Sequence, residues 1–158
     1  MNGFVSIPPP PSGDEPPVII NADGFFDAVA LGDVRNRMRV DTGVSDTRLR
    51  AAVLAGMTSA MRELAAWRQA QVLAGYATAA DVPCPAIDGV SSITYAWLRA
   101  VDNFAMAELA EQFRDVSATG DGSARAEEKA LTADDYRRNA FQAVRDIIGE
   151  PRITAELI

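Results

Sequence analysis

Along Ser91–Val116 the apolar residues Leu98, Val101, Ala105, Leu109, Phe113 and Val116 recur at steps of three and four, and Trp97 and Phe104 widen the stripe. That period places them on one side of a helix packed against something. At 1.5 Å per residue the run is about 39 Å long, more than a small domain needs for one internal helix, so it is expected to be the spine of a bundle. Gly89 precedes it, and the hydroxyl of Ser91 or Ser92 can accept amide protons that the first turn leaves unpaired.

Two further stretches share this period. Ser45 caps a helix expected to run to about Ala74, with Leu49, Val53, Met57, Ala60 or Met61, Leu64 and Trp67 inward, and with many alanines that allow close helix contact. Gly75 supplies its left-handed exit. Thr132 and Asp135 stand at capping-box spacing and open a last helix through Ile148. Its buried face is expected at Tyr136, Ala140, Phe141, Val144, Ile147 and Ile148, and Gly149 and Pro151 end it. A short helix is expected over Gly32–Val40, with Leu31, Val34 and Met38 on one face and Asp33 in the first turn, where it complements the helix dipole.

Between and beyond these elements the pattern changes. Six of the nine prolines lie in residues 1–17, which should run extended. Val18, Ile19 and Ile20 form a short apolar anchor. The turn-rich NADGFFD that follows carries Phe25 and Phe26, which either plug a groove on their own bundle or dock on a neighbouring copy. Pro83 and Pro85 bracket Cys84 and keep residues 76–89 out of a regular helix, so this link is expected to be extended and stiff. Residues 117–132 read as a loop in which Ser123–Leu131 can form a helical turn or two. In the closing RITAELI, Ile153, Ala155 and Leu157 alternate with Thr154, Glu156 and Ile158, a strand-like tail too short to stabilise itself. The expected fold is all-α, a small bundle of about four helices. Residues 1–30 form an extended arm, 31–149 the bundle and 150–158 an extended tail.

Charge adds one asymmetry. The net charge is −7, which opposes a generally basic, nucleic-acid-coating surface. Yet Asp33–Arg68 holds seven arginines against four acids. Arg35, Arg37 and Arg39 are its densest cluster, either a solvated face or a surface for a partner. Arginine makes planar, bidentate contacts with carboxylates, which suits interfaces. Apolar residues make up 48% of the chain, enough to build a core in 158 residues. No apolar run approaches a membrane span and no basic n-region opens the chain, so a soluble intracellular protein is expected.

Candidate chemistry is sparse. There is no histidine, hence no side chain whose ordinary pKa suits it to general base work near pH 7. The sequence holds no CxxC pair, no GxxxxGK[ST] phosphate loop and no GxGxxG. Glu127 and Glu128, or Asp134 and Asp135, are adjacent acids that point to different sides of a helix. Cys84 lies between prolines with no basic neighbour and reads as structural. An enzyme or a cofactor is not expected.

Several short blocks in order, DVRNRMRV (33–40), TRLRAAVLAGM (47–57), AGYATAADVP (74–83), IDG (87–89), the 97–113 helix and IIGEPRITAELI, together with PVIINADGFF (17–26), resemble the head completion proteins of contractile-tailed temperate phages. The resemblance covers about Pro17 to Ile158 and implies a mostly helical, non-enzymatic head-to-tail connector without a cofactor. Such proteins are expected to form a ring, of twelve copies, beneath the portal protein of the virion after assembling in the host cytoplasm. The ring stabilises the filled head and meets a tail-completion or neck protein, while genomic DNA passes its lumen without sequence-specific contact. No membrane is implied. Within that picture Arg152, Ile153, Thr154, Ala155, Glu156, Leu157 and Ile158 are expected to bind the portal as an added strand. Phe25, Phe26, Arg35 and Arg39 are candidates for contacts between subunits. The alternative from another class is a free DNA-binding or regulatory helical module reading duplex through Arg35–Arg50.

Overall fold

The computed structural model describes residues 16–117 and 131–149, and side chains in the long helix as far as residue 112. The proline arm to residue 15, all but Leu131 of the helical turns expected over Ser123–Leu131, the tail from residue 150, and the side chains of Phe113 and Val116 therefore lie outside the described residues.

The spine is helix α4. Naming the elements in chain order, β1 is Ile19–Ile20, β2 Val29–Ala30, α1 Leu31–Met38, α2 Asp46–Glu63, α3 Ala65–Leu73, β3 Ala86–Ile87, β4 Val90–Ser91, α4 Ser92–Ser117 and α5 Ala133–Ile148. A single 3-10 turn, Ala79–Asp81, follows α3. The fold is helix-dominated but not purely all-α, because two antiparallel pairs, β1 with β2 and β3 with β4, interrupt it.

Helix α4 is sandwiched between α2 and α5, which scarcely touch each other. Arg99 pairs with Asp146, Phe104 meets Phe141 and Glu111 pairs with Arg137, so α5 runs antiparallel to α4. On the other flank the small residues of α2 set the spacing. A Cβ added to Gly56 would lie 2.7 Å from the Val101 carbonyl oxygen and 2.8 Å from the Ala105 nitrogen. The two backbones approach so closely only because Gly56 has no side chain, and Ala52 and Ala60 one turn either side are fully buried with it. Close contact through small residues was the sequence expectation for this helix.

The caps follow the sequence as well. The Ser45 hydroxyl accepts from the Arg48 amide at 3.4 Å, and Ser91 Oγ accepts from Ile93 and Thr94 at the head of α4. Thr132 and Asp135 form the reciprocal box, with Asp135 N donating to Thr132 Oγ1 and Thr132 N to Asp135 Oδ2. Gly75 and Gly149 adopt the positive φ expected of helix exits.

Three details differ from the sequence reading. The helix expected over 45–74 is interrupted for one residue at Leu64 (φ −91°, ψ 2°), beyond which Trp67 packs against the aromatic cluster. On α5 the buried set is Ala133, Ala140, Ala143, Val144 and Ile147. Phe141 and Ile148 stay partly exposed, at 42% and 38%, since α5 faces α4 through small residues. Residues 18–30 do not run free as an arm: β1 and β2 pair, Leu31 N donates to Val18 O at 2.9 Å, and Ile20, Phe25, Phe26 and Val29 enter the main core.

Candidate functional site

Of the sequence-predicted residues, Phe25 and Phe26 lie where the N-terminal segment is bolted to the spine. Asp23 Oδ1 accepts from the amides of Phe25 and Phe26 at 3.1 and 3.2 Å, a local turn that aims both rings inward. Phe26 stacks on Trp97 with centroids 4.3 Å apart and planes at 11°, while Trp67 closes the far side of the pair. Trp97 Nε1 donates to the Asp27 carbonyl at 3.0 Å, and Thr94 Oγ1 to the Asp27 carboxylate at 2.7 Å. The Phe25 carbonyl in turn accepts from Ala79 N at 2.8 Å, tying in the turn after α3. Arg68 lies over the Phe25 ring at 5.5 Å and approaches Asp23 at 2.6 Å. Its Nε–H is poorly aligned for a hydrogen bond, so this contact is one of charge.

Phe25 and Phe26 therefore plug their own bundle. Both are buried in the chain's core, which corrects the expectation that they dock on a neighbouring copy: rings stacked on Trp67 and Trp97 are not presented to a second subunit.

The arginine cluster divides three ways. Arg35 clamps the loop between α1 and α2, with Nη1 donating to the Asp41 carbonyl, and Nη2 to the Val44 carbonyl and to Asp46 Oδ1 at 2.6 Å. The Arg35 guanidinium is thus engaged within its own chain, with its side chain 23% exposed. Arg37 makes a bidentate pair with Asp102, Nε to Oδ2 at 2.7 Å and Nη2 to Oδ1 at 3.0 Å. Burial pushes the Asp102 carboxyl up, with the guanidinium opposing that shift, and the same bond raises Arg37. Arg39, at the end of α1 with φ 51°, faces solvent. Two of the guanidiniums needed by a DNA-reading Arg35–Arg50 surface are thus engaged inside the fold.

Asp102 was the residue sequence reasoning missed. It sits four residues after Leu98 and three before Ala105, on the apolar phase of α4, and an acid there requires a buried cation partner. Only the spacing could have flagged it, because Arg37 lies 65 residues away. Cys84 likewise has a defined setting. Its thiol lies 3.1 Å from Ser91 Oγ, and bonding there holds its pKa below the ordinary range.

Among the described residues no group of three acids or cysteines is placed to hold a metal ion, and no helix is long and apolar enough to cross a membrane. The portal-binding candidates Arg152 to Ile158 lie outside the described residues.

Comparison with known proteins gives two matches in sequence. The family model described as phage head completion protein (GPL) matches residues 20–158. The head completion/stabilization protein of Escherichia phage P2 is 38% identical over 144 residues, covering 91% of this chain and 84% of that protein. No solved structure matches it.

Proposed function

The chain belongs to the phage head completion protein family, a structural component of the virion, and from that membership we propose that it works as a head-to-tail adaptor. Copies assemble as a twelve-membered ring beneath the portal, stabilise the DNA-filled head and offer the tail-completion protein its attachment surface. The observation that carries this reading is the similarity to a head completion/stabilization protein along 91% of the chain, with the family match running through the last residue.

The bolted bundle supports the same reading. A subunit that must hold a pressurised head needs a body that does not shear, and here the N-terminal segment is fixed to the spine through Phe26 and Asp27, and α1 through Arg37. Attachment falls to the surface and to the ends. The alternating Ile153, Ala155 and Leu157, with Arg152, Thr154, Glu156 and Ile158, add to the portal as an extended strand, and Arg39 contacts the next subunit. The net charge of −7 lets the genome pass the lumen without adhering. The protein joins the particle in the host cytoplasm and stays in the virion.

The test uses purified portal rings and two forms of the protein, the full chain and one ending at Gly149. Truncation is expected to leave the helical circular dichroism intact and to abolish portal binding. Undiminished binding by the shortened chain would refute the role given to the tail.

A further inference from the structure

The outward side of α2 carries exposed arginines on this acidic molecule. Helix α2 holds three arginines, with its two acids, Asp46 and Glu63, at its ends, in a chain of net charge −7. The buried side of α2 is Leu49, Ala52, Val53, Gly56, Met57 and Ala60. Helical phase puts Arg50, Leu54, Thr58 and Arg62 on the opposite side, all exposed. Leu54 is 44% exposed between arginines one and two turns away, and the Arg62 side chain is 71% exposed, with only a 3.6 Å approach to its neighbour Glu63. Arg50 has no partner among the described residues. The ridge reads basic, apolar, basic.

Elsewhere the chain carries a complementary surface. Asp88 (φ 51°) and Gly89 (φ 73°) make the two-residue turn of the β3–β4 hairpin, both with the positive φ of a type I′ turn. Ile87 is 60% and Val90 37% exposed, with Asp88 exposed between them. None of the four strand residues is buried, and a two-stranded hairpin with no covered face is marginal alone. Its tip reads apolar, acidic, apolar.

We infer that the outer ridge of α2 receives the β3–β4 tip of a second copy of this chain, Asp88 lying between the Arg50 and Arg62 guanidiniums and Ile87 covering Leu54. The charge pattern selects the occupant: ridge and tip are opposite in sign, and both belong to the same chain. Because the two surfaces differ, association is head to tail, which closes as a ring or propagates. The inference rests on the ring reading above and names the face that makes it.

Sedimentation velocity of the full chain at low and high salt tests it. The unmodified protein is expected to associate with rising concentration, less so at high salt. Arg50→Glu with Arg62→Glu, and separately Ile87→Ser with Asp88→Asn, are each expected to weaken association by more than about tenfold, since like charge replaces opposite charge or the apolar contact is lost. Mixed in equal amounts, the two variants are expected to form a heterodimer and nothing larger, because each retains one competent surface. Arg50→Gln with Arg62→Gln, which keeps side-chain bulk, gives an intermediate loss, and circular dichroism checks that every variant is folded. If the arginine variant associates like the unmodified chain, the α2 face is wrong and the ring reading stands. A chain that never associates, even on portal rings, ends both. A variant mixture that stays monomeric, or a ridge whose reversal abolishes duplex DNA binding but not association, overturns the inference.

Discussion

Arg37 and Asp102 meet through two hydrogen bonds of 2.7 and 3.0 Å across 65 residues of sequence, and Asp102 is the one buried charged residue among those described. The pair fixes α1 to the middle of the spine. Its guanidinium side is 36% exposed and its carboxylate side 5%, so loss of the arginine leaves a carboxylate that water scarcely reaches.

Arg37→Met is expected to destabilise the fold by on the order of 2–3 kcal/mol, below the roughly 3–5 kcal/mol of fully buried pairs because Arg37 is partly hydrated. Arg37→Met with Asp102→Leu should cost less than either single change, since no unpaired charge remains. Urea unfolding of the three variants checks both statements. A double mutant whose loss equals the sum of the singles would mean that the pair is not coupled.

Gly56→Ala tests the closest helix contact. Alanine gains about 1 kcal/mol in helix propensity, but its methyl would press on the Val101 and Ala105 backbone, and overpacking costs about 1–3 kcal/mol. A net loss is expected, larger for Gly56→Val, read as a lower unfolding midpoint. A stabilised Gly56→Ala protein would contradict the packing.

Phe26→Ala removes the ring stacked on Trp97. A loss of about 3–5 kcal/mol is expected in the isolated subunit, with a change in tryptophan emission. Had Phe26 served a neighbouring copy instead, monomer stability would be unmoved and only assembly would suffer.

The capping box gives a pH dependence. Asp135 accepts from Thr132 and pairs with Arg138, which hold its pKa below the ordinary 3.8. A carboxylate lowered in the folded state adds stability that is complete above its unfolded pKa and is lost as pH falls through its folded one. Asp135→Asn should therefore be less stable than the parent at pH 7, and the gap should begin to narrow below about pH 4, closing only once the folded-state carboxyl is itself protonated. Urea midpoints from pH 7 down to about pH 2 measure the gap, and a gap that does not narrow over that range would assign the effect to something other than the ionised cap.

What the sequence displayed were features encoded within a few residues. The stripe of α4 through Trp97, Val101, Ala105 and Leu109, the caps at Ser45, Ser91 and Thr132, and the glycine exits at Gly75 and Gly149 are local, and the structure has them. The break at Leu64 carries no proline or glycine to announce it. Phe141 sits at a plausible inward phase, yet α5 approaches α4 through Ala140 and Ala143, which leaves the larger ring at the edge against Phe104. Residues 76–89 read in sequence as an extended link, which misses the β3–β4 hairpin: Asp-Gly is a hairpin signal, but strands two residues long give no alternation to frame it. Arg35 and Arg37 looked like a surface cluster because their acceptors, the 41–46 loop and Asp102, are brought to them only by the tertiary fold.

The adaptor role is tested most directly by cryo-electron microscopy of the vertex of DNA-filled particles. The account predicts a ring of these bundles immediately beneath the portal, absent from particles made without the chain. Density for the chain elsewhere on the head, or an unchanged vertex when it is missing, would contradict it.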